Sequence, residues 1–246
     1  MNEYQTDLHI HTVLSPCGDL SMSPINIVDR AATIGLRVIG ITDHNSTLHG
    51  PVTRRLAEKK GIMVVYGAEV TTKEEVHCLC LFDNETQRTQ FQEYIDINLP
   101  SIKNDPNIFG HQVVVNENEE ILDEVEPLLI SGLNTGIDAL EKKVHQLGGL
   151  FIPAHIDRLK YSLISQLGFI PKDLKYDVLE LSRNTSIEKA LQDFSYIKNI
   201  RFIKSSDAHN LNQLGTSNTF LKMDNLNWNE FKMAILGIEG REIVLS

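Results

Sequence analysis

Tyr4-Gln5-Thr6-Asp7-Leu8-His9-Ile10-His11-Thr12 reads as a short strand that ends in two histidines separated by one apolar residue. Successive strand side chains point to opposite faces, so His9 and His11 project together while Leu8 and Ile10 face the other way. Two imidazoles at one strand end can share a metal ion, and imidazole suits Zn, Fe, Mn or Ni. Asp7 has the same parity and is placed to orient a ligating ring from behind. Taken alone, a His-x-His pair is equally the partly exposed end of an ordinary strand. What stands at the other strand ends decides between the two.

The chain downstream alternates strand and helix. Ser23 reads as an N-cap with Pro24 at the first helical position, and the helix runs to Ile34 before Gly35. Val38-Ile39-Gly40-Ile41 is apolar on both faces, as a covered parallel strand is, and leads to Thr42-Asp43-His44-Asn45. A helix from Pro51 to Lys60 precedes a strand, Ile62 to Tyr66, that ends Gly67-Ala68-Glu69. The next strand, Glu75 to Phe82, carries His77, and Thr86 to Leu99 is an amphipathic helix. Residues 100–134 break the rhythm. Pro100 and Pro106 bound a polar loop, and Val113–Val115 with Glu120–Leu122 suits a small hairpin. Six acidic side chains within residues 117–126 mark this insertion as a solvated face, with a lid or partner-contact element as the sharper reading.

The alternation then resumes. A helix from Thr135 to Leu147 is followed by Leu150-Phe151-Ile152, ending Pro153-Ala154-His155. A strand from Tyr176 to Leu181 and a helix from Ser186 to Ile197 lead to Arg201–Ser205, ending Ser206-Asp207-Ala208-His209. The tail holds Thr219-Phe220-Leu221, a helix from Trp228 to Leu236 and Ile243-Val244-Leu245. With no linker and no repeat, residues 1–246 read as a single domain.

The length of 246 residues allows one α/β barrel, and 41% hydrophobic with 23% charged residues is an ordinary globular composition. No apolar run approaches the roughly 18 residues of a membrane helix, and the N-terminus lacks the basic and apolar regions of a signal peptide. The three cysteines, Cys17, Cys78 and Cys80, are too few for a disulfide framework. Together these imply a cytoplasmic protein with no membrane partner. The formal charge of −10 argues against a broad basic surface for duplex DNA. It leaves room for a small phosphorylated substrate, because bound divalent cations invert the local charge.

In sequential βα units active sites form at the C-terminal ends of parallel strands. There the sequence sets His9, His11, His44, Glu69, His77, His155, Asp207 and His209, which is six of its nine histidines with two carboxylates. The motifs Asp7-Leu8-His9-Ile10-His11, Thr42-Asp43-His44, Gly67-Ala68-Glu69, His77, Pro153-Ala154-His155 and Ser206-Asp207-Ala208-His209 resemble those of the PHP (polymerase and histidinol phosphatase) superfamily. The resemblance spans residues 5–210 and implies a distorted seven-stranded (β/α)7 TIM-like barrel with its metal site at the C-terminal ends of the strands. It implies three divalent ions (Zn, Mn or Fe). Carried over, His9, His11, Glu69 and Asp207 hold the first, Glu69, His77 and His155 the second, and His44, His209 and one loop residue the third. For that loop residue Asp19 is preferred, since Cys-Gly-Asp resembles the Cys-Gly-His of histidinol phosphatases of this fold. Cys17 is the alternative, because a thiolate also binds zinc well.

The ligand set points to hydrolysis of a phosphate ester by a metal-bridging hydroxide. Six imidazoles and three carboxylates leave three divalent cations with roughly +3 of uncompensated charge, which attracts a phosphate dianion. Arg158 is expected to clamp the phosphate, and Asp207 and His209 are grouped with it as catalytic. Asp43 and Asp157 are expected behind the ligands. Glu180 and Arg183 either contact substrate or form an ion pair at the rim. His49, His111 and His145 read as ordinary surface histidines, and Cys78 and Cys80 as core. The resulting reading is a phosphatase acting on a small, nucleotide-type molecule. A 5′-to-3′ exonuclease on a short oligonucleotide, a histidinol-phosphatase-like enzyme and a non-catalytic metal-binding accessory module are the alternatives.

Overall fold

The computed structural model describes residues 1–197 and 200–244; Leu245, read above as the end of the last strand, lies outside them. In chain order the elements are β1 (Asn2–Ile10), α1 (Pro24–Thr33), β2 (Val38–Ile41), α2 (Gly50–Glu58), β3 (Met63–Thr71), β4 (His77–Phe82) and α3 (Glu85–Asn98). The 100–134 segment holds α4 (Pro106–Phe109), β5 (Val113–Val115) and β6 (Ile121–Glu124). Then come α5 (Ile137–Gln146), β7 (Leu150–Pro153), α6 (Leu163–Leu167), β8 (Leu179–Leu181), α7 (Ile187–Asp193), β9 (Phe202–Lys204), β10 (Thr219–Met223), α8 (Trp228–Leu236) and β11 (Glu242–Val244). Local chemistry sets several of these boundaries. Ser23 caps α1 by accepting from the Asn26 N–H, with Pro24 in the first turn, and Asn84 caps α3 in the same way through Gln87.

The fold is α/β, built on a curled seven-stranded sheet in the order β11-β10-β1-β2-β3-β4-β7. A parallel pair, β8–β9, continues the curl. It is tied to β7 by Ile156 N–H to Glu180 O and Asp177 N–H to Phe151 O. It is tied to β1 by His11 N–H to Ala208 O and Ala208 N–H to His9 O. Leu8, Val38, Val65, Leu79, Ile152, Val178 and Ile203, from successive strands or their margins, pack into one apolar cluster on the concave side. Phe231, Ala234 and Ile235 of α8 close that cluster. Helices α1 and α2 cover the outer face of β1–β3, while α3, α5 and α7 cover that of β4, β7 and β8. The continuous apolar strands thus have both faces buried.

One departure from the expected parallel alternation bears on the site. β4 runs antiparallel to both β3 and β7. Only residues 72–76 join β3 to β4, closed by Thr72 N–H to Val76 O, and a parallel crossover needs a dozen residues or more. His77 is therefore the first residue of its strand, and the reversal is what brings it to the rim where β1 and β3 end.

The acidic insertion folds as the expected hairpin, with Val113 opposite Glu124 and Val114 opposite Asp123, but it is anchored along its length. Val113 and Val115 pack on Val13, Glu119 accepts from Ser23 Oγ at 2.6 Å, and Glu117 pairs with Arg55. His49 corrects the surface reading outright. It is fully buried, its Nδ1 lies 2.5 Å from Thr12 Oγ1, and its Nε2 accepts from the Val115 N–H at 2.9 Å. It joins the loop after β1 to the hairpin. Among the described residues no helix is long and apolar enough to cross a membrane.

Candidate metal centre

Glu69, on β3, is the hub of the arrangement. Its Oε1 lies 2.8 Å from His77 Nδ1, 3.0 Å from His155 Nε2 and 3.2 Å from His9 Nε2. Its Oε2 lies 3.1 Å from His44 Nδ1 and 3.3 Å from His11 Nε2. Asp207 Oδ1 stands 3.3 Å from His9 Nε2, 3.2 Å from His11 Nε2 and 3.6 Å from His209 Nδ1. Metal–ligand bonds of about 2.0–2.2 Å imply ligand-to-ligand edges of roughly 3.0–3.4 Å, which most of these separations match. His155 and Asp207 reach the cluster with left-handed backbones, φ 31° and 50°. Such conformations cost about 1–3 kcal/mol in non-glycine residues and persist where neighbours over-determine them. Here the ties of Ile156 to Glu180 and of Ala208 to His9 do so.

Outer partners fix the rings. Glu180 Oε2 lies 3.0 Å from His9 Nδ1 and accepts from the His155 backbone N–H at 3.1 Å. Ser15 Oγ donates to Asp43 Oδ1 at 2.7 Å, which leaves it to accept from His11 Nδ1 at 3.0 Å. These bonds turn both Nε2 atoms toward the carboxylates, which against burial raise His9 well above its ordinary value and His11 to about 9; a bound cation would take the place of the Nε2 protons. Three buried atoms in the cluster, His44 Nδ1, His155 Nδ1 and Asp207 Oδ1, form no hydrogen bond, nor does Glu180 Oε1 beside them. Buried polar atoms without partners are rare, and a cation is what this donor set fits.

The electrostatics agree. Burial alone would raise the Glu69 carboxyl, but His77, His9 and His44 outweigh it and hold it well below the usual range. Asp207 is likewise held low against burial by His9 and His11. Burial and the surrounding imidazoles push His44 well below its ordinary value and His209 down to about 4, so both stand neutral and ready to coordinate.

The residues fall into three overlapping groups whose ligand atoms could hold a metal ion: His9, His11, Glu69 and Asp207; His44, Glu69 and His77; and His11, Cys17, His44 and His209. His155 joins the second through Glu69 Oε1. Of the residues singled out from sequence, the structure brings all these together but leaves Asp19 outside. The Asp19 carboxylate is exposed and accepts from the Ser21 N–H at 2.8 Å. Cys17, also an exposed residue, brings its Sγ into the cluster instead, where loss of hydration and then Glu69 push its thiol up to about 12. Asp7 accepts from the backbones of Ser206 and Gly215 and orients no ring. Asp43 does stand behind a ligand, through Ser15. Asp157 tethers Ser182 and Thr185. Glu180 is 2% exposed and belongs behind His9 and His155, in neither of its two expected roles.

A cavity of about 280 Å³ opens onto the cluster, lined by Cys17, Ile130, Arg158 and Tyr161 besides the ligands. Arg158 Nη2 is 2.5 Å from Asp207 Oδ2. Tyr161 stacks on the His77 ring, centroids 4.8 Å apart and 12° from parallel. Asn45 holds the Ile130 wall by donating to Leu129 O and Ser131 O. A larger cavity, about 960 Å³, lies away from this chemistry, between residues 169–178 and the end of α7.

The sequence pattern of the PHP domain matches residues 7–166. The uncharacterized protein YqxK of Bacillus subtilis is 33% identical over 115 residues, 45% of this chain and 29% of that protein. A PolC-type DNA polymerase III of Caldanaerobacter subterraneus subsp. tengcongensis is 27% identical over 213 residues, 74% of this chain and 15% of the polymerase. Among solved structures, the lesion-specific endonuclease PfuEndoQ of Pyrococcus furiosus superimposes with a TM-score of 0.76 at 23% identity, over 98% of this chain and 58% of that one. Endonuclease Q complexed with a 27-mer duplex bearing an abasic lesion superimposes with a TM-score of 0.73 at 24% identity, with the same coverage. The chain therefore corresponds to a part of each of these proteins.

Proposed function

The chain belongs to the PHP domain family of metal-dependent hydrolases, and from that premise we propose that it hydrolyses phosphate esters at the Glu69–Asp207 centre. The observation that carries the reading is Glu69, a buried carboxylate approached by five imidazoles at 2.8–3.3 Å. We assign three divalent ions, one to His9, His11, Glu69 and Asp207, one to Glu69, His77 and His155, and one to His44, His209 and a residue of the loop after β1, at the rim of a distorted seven-stranded TIM-like barrel formed by one domain. When bound, the ions supply a nucleophile from water at neutral pH and neutralise charge on the phosphoryl oxygens.

The protein's own part is positioning. Glu180 and the Ser15–Asp43 pair hold the His9 and His11 rings with Nε2 inward. Asp207 holds the Arg158 guanidinium at the cavity wall, from which its planar N–H groups suit a phosphoryl oxygen. Ile130 and Tyr161 narrow the opening. A cavity of about 280 Å³ is sized for a small phosphorylated molecule, and a cytoplasmic setting accords with such a substrate.

A second reading, a nuclease, is favoured by one observation: the likeness to endonuclease Q runs over 98% of the chain, including in its duplex complex. That weighs against the expectation of no duplex DNA. Tyr161, 45% exposed beside His77, offers a face on which a base could stack. The test is one substrate panel with Mn, Fe or Zn: nucleotides, sugar phosphates, short oligonucleotides and a duplex with an abasic site. Phosphate release from the small esters is expected, and strand cleavage without it would transfer the assignment to the nuclease. His9→Ala and His11→Ala should each abolish turnover while the circular dichroism spectrum stays native. Near-normal turnover in either variant would overturn both readings.

A further inference from the structure

We propose that Cys17 is a metal ligand, its thiolate joining His44 and His209 at one site for zinc or another borderline cation such as cobalt(II) or iron(II). The inference rests on the metal-hydrolase reading and adds to it a ligand and a metal preference.

Four ligand atoms, Cys17 Sγ and one nitrogen from each of His11, His44 and His209, lie within 4.8 Å of one another. His44 is 7% exposed and its Nδ1 has no hydrogen-bond partner, so the group contains a buried donor that protein contacts leave unmatched. The loop holds Cys17 in place from three directions. Ser15 N–H bonds to Thr12 O and Gly18 N–H to Ser15 O at 2.8 Å, forming the turn that carries Cys17. A Cβ on Gly18 would sit 2.3 Å from Thr12 O, so this turn closes only with glycine. Asp19 N–H bonds to His209 O at 2.8 Å, which fastens the loop to the element bearing another ligand. From outside, Gly110 of the acidic insertion packs so close to Pro16 that a Cβ there would be 2.5 Å from its carbonyl oxygen.

Asp19 cannot take the position while its carboxylate accepts from Ser21. The chemistry differs accordingly. A thiolate is a soft ligand, and two imidazoles with one thiolate favour zinc or cobalt(II) over manganese or magnesium, which suit oxygen ligands. Cation entry displaces the thiol proton. The Glu69–Asp207 sets, with their carboxylates, lack this bias.

The test uses the full chain stripped with a chelator and titrated with cobalt(II) alone. Expected is a thiolate-to-cobalt charge-transfer absorption in the near ultraviolet that disappears in Cys17→Ser and persists in Asp19→Asn. Cys17→Ser should weaken one cobalt site by at least about tenfold, the loss that even an outer partner of a ligand produces. Cys17→Asp should still bind the ion without the absorption, which shows that the fold survives the change. In an independent measurement, alkylation of Cys17 should slow on metal loading; Cys78 and Cys80 are fully buried and give no background. Three bound cobalt ions without the absorption, or an absorption that survives Cys17→Ser, would overturn the thiolate ligand and leave the hydrolase reading standing. A chain that binds no cobalt at all would overturn both.

Discussion

Glu180 shows how much of this centre lies behind its ligands. One carboxylate oxygen meets both the His9 ring and the His155 backbone, so it sets the tautomer of one ligand and the approach of another. Glu180→Ala is expected to cost 10- to 100-fold in metal affinity, in the range found for outer partners of metal ligands. Glu180→Gln, which keeps an acceptor, should cost less. Isothermal titration with zinc after chelation distinguishes the two. In the sequence Glu180 reads as one residue of Leu179-Glu180-Leu181. Strand alternation held the signal, because Leu179 and Leu181 pack against the outer helices while Val178, of Glu180's parity, packs inward. A carboxylate on the inward face of a covered strand needs a partner, and His9 is one. For Asp19 the sequence carried no comparable signal. Cys17 and Asp19 are two residues apart in one loop, and only the Ser15–Gly18 turn determines which of them faces inward.

Among the elements, the hairpin and the C-terminal strand are each tied to the body by a buried polar residue, His49 and Glu230. His49→Ala would leave the Val115 N–H without a buried partner, at about 1–3 kcal/mol for the unsatisfied group, while the Thr12 hydroxyl keeps Asp43. A lower melting temperature and faster amide exchange in residues 113–125 are expected, measurable by hydrogen–deuterium exchange. Glu230, at the start of α8, accepts from Arg241 and from the Asp224 N–H. The bonds to Arg241 and then Asp224 hold its carboxyl below the ordinary 4.5. A depressed carboxyl contributes stability that is present above the unfolded value and is lost as pH falls through the folded one. Glu230→Gln should therefore melt below wild type at pH 7, and the gap should narrow as pH drops below 4.5. A gap that stays constant with pH would mean that packing, rather than charge, makes the contribution. The helix caps and apolar strands were legible because they rest on neighbouring residues. The direction of β4 was legible too, in a connection too short for a crossover, but a reading built on βα repetition passes over it.

Across the whole molecule the centre binds distant segments to one another. β1, β3, β4 and the turns after β2, β7 and β9 meet at Glu69 and Asp207, so bound ions should act as cross-links as well as reagents. Chelation is expected to lower the melting temperature and metal return to restore it. An ion at a hundred times its dissociation constant stabilises the folded state by about 2.7 kcal/mol. Differential scanning fluorimetry with and without chelator, alongside elemental analysis for three ions per chain, checks this. Equal melting with and without ions would contradict the model of three buried sites.

By itself the sequence determined the alternation of elements, the histidines at the strand ends and hence a metal centre. These follow from local rules, since strand parity, capping and apolar periodicity act over a few residues. Tertiary structure alone decided that Glu69 is the hub, that Cys17 stands in the cluster where Asp19 was expected and that His49 is buried beneath the hairpin. Each of these depends on contacts between segments far apart in the chain, such as those of Glu69 and Glu180, 111 positions apart, which meet around His9 and His155. The pair His9 and His11 marks the boundary. The sequence pairs the two imidazoles, but Leu8 packs inward and Ile10 outward across an irregularity in β1, so folding both aims the rings and supplies the carboxylates that make them a site.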